Sequence, residues 1–151
     1  LYAGDGELRE EIERQVKARR IPDVRISGFL NQTEIPMVYA AADLLVLPSA
    51  WDETWGLVIN EAMNFGLPII ASDKVGAAHD LIEHGANGFV VPSGDVETLA
   101  ARLTDLIRDD AMRRAMGERG VQRVRSWDYD AFIEGLLAAC RAVRQPGWVV
   151  V

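Results

Sequence analysis

Residues 44–61 read Leu-Leu-Val-Leu-Pro-Ser-Ala-Trp-Asp-Glu-Thr-Trp-Gly-Leu-Val-Ile-Asn-Glu. The run Leu44–Leu47 is continuously apolar, as a strand buried on both faces must be, and Pro48 stops it. Residues 49–56 have no periodicity and form a loop. Gly56 lets the chain turn tightly into a helix over about 57–65, which Gly66 ends. Pro68-Ile69-Ile70-Ala71 is a second apolar strand. Strand, helix and strand in so few residues make a parallel βαβ unit.

The same alternation extends both ways. Leu8, Ile12 and Val16 recur at helical spacing in 7–20, with acids toward the start. A short strand is expected at 24–27, ended by Gly28, and a helix from Thr33-Glu34 through Ala42. Downstream come a short helix in 76–84, a turn at Asn87-Gly88 and the strand Phe89-Val90-Val91. Asp95 or Ser93 caps a helix over 96–108 whose Val96, Leu99, Leu103, Leu106 and Ile107 form an apolar stripe. A further helix spans 110–124, weakened by Gly117 and Gly120, with Met112 and Met116 as core filler. The last runs from Asp128 or Asp130 to about 143, with Phe132, Leu136, Leu137 and Cys140 on its core side. The fold class is therefore α/β: a three-layer, Rossmann-like parallel sheet with helices on both faces.

The 151 residues are 49% hydrophobic and 26% charged, with a net charge of −7. No basic tract suggests a nucleic-acid surface or a polybasic membrane anchor. No apolar run approaches the roughly 18 residues of a membrane span, and no signal-peptide pattern is present. One cysteine excludes an internal disulfide. His79 and His84 lack a third ligand at a useful spacing, so no metal site is expected. The composition fits a reduced, cytoplasmic setting. The chain opens Leu1-Tyr2-Ala3-Gly4, without Met, in what reads as the end of a buried strand. We therefore expect a piece of a longer protein, with 1–144 as one domain shortened at its N-terminus and 145–151 as a C-terminal tail, a docking segment or the start of a missing segment.

In an open α/β sheet, ligands bind beyond the carboxyl ends of the strands. Segments 4–6, 28–32, 48–57 and 72–77 are expected there. Gly4-Asp5-Gly6 allows close backbone approach to an anion. The helix opened by Gly56 presents unpaired amides, an anion site suited to a diphosphate. Glu53 and Glu61, set to either side, can accept hydrogen bonds from sugar hydroxyls. Trp51 and Trp55 can be read as sugar-stacking surfaces or as a lid packed over the loop. Lys74 is a loop lysine, and His84, at a turn, is structural.

The phrase Pro48-Ser49, Glu53-Thr54-Trp55-Gly56-Leu57, Glu61-Ala62-Met63, Gly66-Leu67-Pro68-Ile69-Ile70-Ala71-Ser72 resembles a known pattern. It is that of the retaining glycosyltransferases with two facing Rossmann-like domains, the GT-B architecture of glycosyltransferase group 1, or family 4. Glu83-His84-Gly85-Ala86-Asn87-Gly88-Phe89-Val90-Val91-Pro92, Asp95, Gly4-Asp5-Gly6 and Ser126-Trp127 extend the resemblance over nearly the whole chain. It implies the C-terminal, donor-binding domain of an enzyme that transfers a sugar from a nucleotide-diphosphate donor, UDP- or GDP-linked, with retention.

On that resemblance, Glu61 holds the ribose and Glu53, the catalytic candidate, holds hydroxyls of the transferred sugar. Backbone amides of Gly56, Leu57 and Val58 approach the diphosphate. Gly4 and Gly6 line the donor crevice, and Phe29 and Leu30 lie near the base. The resemblance implies no metal and no cofactor beyond the donor. It implies an N-terminal acceptor-binding domain, a sugar, polysaccharide or lipid-linked acceptor, and peripheral membrane association through that missing domain. Between residues 21 and 101 the only cations are Arg25 and Lys74, whereas a diphosphate leaving group needs fixed positive charge. The chain alone is thus expected to be nearly inactive. Two departures from the pattern concern the donor loop: Ala77 stands for a second glycine, and Asp80 for a glutamate, where it would serve as a helix cap. The alternatives are a sugar-nucleotide epimerase of similar architecture and a non-catalytic nucleotide-sugar-binding module. A nicotinamide-dependent oxidoreductase is disfavoured, because Gly4-Asp5-Gly6 lacks the third glycine of that fingerprint.

Overall fold

The computed structural model describes residues 1–143. The chain divides into two compact units, Leu1–Ala42 and Asp43 onward. The first holds two helices, α1 (Arg9–Ala18) and α2 (Ile35–Ala41). The second holds strands β1 (Leu45–Leu47), β2 (Ile69–Ser72) and β3 (Gly88–Val91), with helices α3 (Leu57–Asn64), α4 (Gly76–Leu81), α5 (Val96–Arg108), α6 (Asp110–Val124) and α7 (Tyr129–Val143).

The three strands pair in sequence order and all in parallel. Val46 lies beside Ile70 and Ile70 beside Phe89. Alternation along the strands turns Ile70, Phe89 and Val91 to one face. There they form a buried cluster with Leu106 of α5 and Met116 of α6. Leu47, on the alternate side, lies against Gly56 at the start of α3. The α/β class with a parallel sheet is as the sequence indicates.

Helix α5 begins where Asp95 accepts the Thr98 N–H, so Asp95 rather than Ser93 is the cap. Helix α6 is capped in the same way by Asp109. Its two glycines are buried points of contact, not weak places. A Cβ on Gly117 would overlap the carbonyl oxygen of Gly66, and one on Gly120 would meet Met63 at 3.6 Å. Small residues here let α6 lie down on the end of α3.

Several expectations are corrected. Residues 24–27 form no strand, and Leu1–Ala3 are exposed rather than buried. Their pairing stops at isolated bridges, Tyr2 with Ile26 and Gly4 with Gly28. Asp23 at φ 58° and Gly28 at φ 74° bend the chain out of extended geometry on both sides. Of the two methionines of α6, Met112 is exposed and Met116 is core. Cys140 is also exposed, as are Phe132, Leu136 and Leu137, because no element among the described residues covers that stripe of α7. The tail 145–151 lies outside the described residues.

Candidate functional site

In the second unit the site is built at the carboxyl edge of the sheet. The segments leaving β1, β2 and β3 are knotted there by two hydroxyls. Ser72, only 1% exposed, donates to the Ser49 carbonyl at 2.7 Å, and Ser93 donates to the same oxygen at 3.2 Å. Asp73 accepts the Ser93 N–H at 2.8 Å. A part-buried carbonyl with two donors, and a buried hydroxyl that also accepts from the Lys74 N–H, leave these polar groups satisfied.

The loop 48–56 is then pinned to the segment after β2 by main-chain bonds. Glu53 N–H donates to Lys74 O at 2.8 Å, Gly76 N–H to Glu53 O at 2.9 Å, and Ala77 N–H to Trp55 O at 2.8 Å. Gly76 must lack a side chain, because a Cβ there would overlap the Thr54 carbonyl. Ala77, by contrast, is buried and has ordinary backbone, so its methyl is accommodated. Asp80 stands near the end of α4, whose N-cap is Val75, so it does not cap that helix. Its carbonyl instead accepts from Arg123 of α6.

This frame fixes the entry to α3. Gly56 is left-handed, with φ 92° and ψ 63°, and no side chain caps the helix behind it. The first amides, of Leu57 and Val58, precede any intrahelical acceptor. The entrance is open: Leu57 is 67% exposed and Val58 is half-buried, while Ile59, Ala62 and Met63 face the core. The stem of Glu53 lies over the turn, with its Cγ 3.5 Å from where a Gly56 Cβ would be. Glu61 is on the exposed face of α3, one helical turn beyond Leu57. Both acids are thus solvent-accessible, on either side of a bare helix start.

Sequence reasoning missed how Trp55 is held. Its ring is half-buried, its indole N–H donates to Asn60 at 2.8 Å, and its face meets Trp127 at 5.3 Å. It is a packed part of the loop, whereas Trp51 is 87% exposed. The signal was divided between residues 72 positions apart, which periodicity does not connect. Lys74 is 3.7 Å from Asp52. His84 accepts the Val90 N–H at 3.2 Å and sits edge-on to Phe89, the structural role expected of it.

In the first unit, Gly4 N–H donates to Gly28 O at 3.0 Å, and Gly6 N–H to the Asp5 carboxylate at 2.9 Å. Gly4 and Gly28 both have positive φ. Arg9 stands over Gly28, with Nη1 3.1 Å from where a Cβ would be. Hydrogen bonds to Glu13 and Asp5 push the Arg9 pKa further up. No spacing in the sequence marks Arg9 as a cation beside the Gly-Asp-Gly turn; only the fold brings it over Gly28. Phe29 is 77% exposed and Leu30 is half-buried. Asn31 accepts from the Thr33 and Glu34 amides, and Glu34 returns a bond to the Asn31 N–H, closing the turn before α2.

A family profile described as "Glycosyl transferases group 1" matches residues 1–123. The chain is 34% identical over 133 residues to the sulfoquinovosyl transferase SQD2 of Arabidopsis thaliana, covering 86% of this chain and 25% of that protein. It is 38% identical over 119 residues to the alpha-D-kanosaminyltransferase of Streptomyces kanamyceticus, covering 78% and 30%. Among solved structures, Anabaena Alr3699/HepE in complex with UDP-glucose superposes with a TM-score of 0.76 at 29% identity, covering 95% of this chain and 40% of that one. The chain thus spans 25% and 30% of these two curated relatives.

Proposed function

Because the chain belongs to the group 1 glycosyl transferases, we propose that it is the donor-binding part of a retaining enzyme that transfers a sugar from a nucleoside-diphosphate carrier. The observation that carries this reading is the uncapped start of α3 behind left-handed Gly56, with the stem of Glu53 laid across it. Amides of Gly56, Leu57 and Val58 take the diphosphate, where the positive end of a helix favours it. Glu61, on the exposed helix face, accepts from the ribose hydroxyls. Glu53 accepts from hydroxyls of the transferred sugar and orients its anomeric carbon. Gly4, Gly6, Phe29 and Leu30 keep the donor-lining and base-adjacent roles that the resemblance gives them. The donor class is supported by the solved relative that carries UDP-glucose.

Transfer requires an acceptor site and a stronger source of positive charge at the leaving diphosphate. We propose that an acceptor-binding N-terminal domain supplies the acceptor site, and that an Arg and a Lys on the strand and loop leading into Gly4-Asp5-Gly6 supply the charge. The acceptor is a sugar, a polysaccharide or a lipid-linked saccharide, and no metal or other cofactor takes part. No helix among the described residues is long and apolar enough to cross a membrane, and any membrane association is proposed to be peripheral, through the partner domain. The chain by itself is proposed to turn over little donor.

The test is calorimetric titration of the chain with UDP, GDP and ADP, each with and without an attached sugar. Saturable binding of one nucleotide series is expected, and failure of all three would overturn the reading. Retention is read from the anomeric proton coupling of a transferred sugar. An epimerised donor formed without an acceptor would overturn transfer in favour of epimerisation.

A further inference from the structure

We infer that Trp127 is a positioning residue for the loop that carries Glu53, acting through the ring of Trp55. Of residues 51–55, four are exposed and Trp55 alone turns partly inward. Its indole N–H is tied to Asn60 on α3, and its ring is tilted 37° against Trp127 with centroids 5.3 Å apart. A single bond at the indole edge leaves the ring free to swing about that edge. An aromatic neighbour on its face removes that freedom.

Trp127 is 41% exposed, and what anchors it beside Trp55 is its backbone. Its N–H donates to the carbonyl of buried Val124 at 2.9 Å, in the last turn of α6. Four residues earlier, Arg123 reaches the Asp80 carbonyl of α4. The brace therefore runs from the end of α6 through Trp127 to Trp55, which lies between Glu53 and Gly56. The ring neighbour of Trp127 is Trp55, which is not itself assigned to donor, so the effect passes through the loop. Asp128, the next residue, accepts the Ala131 N–H, so α7 starts directly from the brace.

The consequence for donor binding rests on the function proposed above; the consequence for the loop does not. Hydrogen exchange of the chain separates them. In Trp127→Ala, protection of the Glu53, Gly76 and Ala77 amides, which join the two loops, is expected to fall about tenfold while Ile69–Ala71 stay protected. Trp127→Phe restores an aromatic face and should restore protection. Trp127→Leu keeps bulk without the aromatic face, and should repeat the alanine pattern should Trp127→Ala fail to fold. Affinity for the nucleotide sugar should fall about tenfold with alanine and recover with phenylalanine, following the exchange data. If the wild-type chain binds no nucleotide, the donor reading fails and the exchange pattern still decides the brace. Unchanged protection of the three amides, loss shared equally by the sheet, or no rescue by phenylalanine would overturn the inference.

Discussion

Gly56 rests its Cα directly against Val75: a Cβ at position 56 would lie 2.8 Å from Val75 Cγ1 and 3.3 Å from Leu47 Cδ2. Val75 is fully buried, so it has nowhere to retreat. The same glycine is left-handed at φ 92°. Gly56→Ala therefore meets two penalties, backbone strain of about 1–2 kcal/mol and overpacking of about 1–3 kcal/mol. A loss of about 2–4 kcal/mol is expected by urea unfolding, with loss of nucleotide binding. A variant within about 0.5 kcal/mol of wild type would show the contact to be absent.

The two glycines of α6 make an internal comparison. Gly117→Ala drives a methyl into the Gly66 backbone, which cannot rotate aside. Destabilisation of about 2 kcal/mol or more is expected. Gly120→Ala places its methyl at ordinary contact distance from Met63, at 3.6 Å. Helix propensity then favours alanine by up to about 1 kcal/mol. Thermal melts of the two variants should move in opposite directions.

Glu53 and Glu61 are expected to fail differently. Glu61→Ala should weaken nucleoside-diphosphate binding about tenfold, about 1.4 kcal/mol, through lost ribose contacts. Glu53→Ala should leave the free nucleotide within about twofold and lower affinity for the nucleotide sugar. Calorimetry with and without the sugar separates the two. Wild-type nucleotide binding by Glu61→Ala would sink its assignment.

Asp95 gives a pH dependence with a definite sign. Hydrogen bonds from the Thr98 hydroxyl and the Thr98 N–H hold its pKa below the ordinary carboxylate value. A carboxylate depressed in the folded state stabilises above its unfolded pKa, and that contribution is lost as pH falls through the folded one. Asp95→Asn keeps an acceptor for the cap and removes the charge. The stability gap between wild type and variant should be widest above about pH 4 and close below it. A gap constant from pH 2 to 6 in thermal melts would contradict the assignment.

The elements that the sequence disclosed are those whose signals are local. Leu45–Leu47 and Ile69–Ala71 are short apolar runs ended or entered by proline, and Asp95 caps the helix that follows through the amide three residues ahead. The Glu53–Gly56–Glu61 spacing likewise lies within a single loop and helix. What stayed hidden depends on distant neighbours. Gly117 reads as a helix weakness until Gly66 is seen beneath it. Cys140 has core periodicity, but periodicity states which face seeks cover and not what supplies it. Residues 24–27 have strand composition, but the positive φ of Asp23 and Gly28 on either side limits their pairing to isolated bridges. Trp55 was ambiguous because its two anchors, Asn60 and Trp127, lie on different elements.

The path of the loop at Glu53 is written in main-chain bonds, from its N–H to Lys74 and from Gly76 to its carbonyl. Side-chain identity at 53 and loop shape are therefore separable variables. On the proposed role of Glu53, position 53 is a socket into which other side chains can be exchanged without rebuilding the scaffold, whereas Gly56 and Gly76 belong to the scaffold and are best left out of any randomised library.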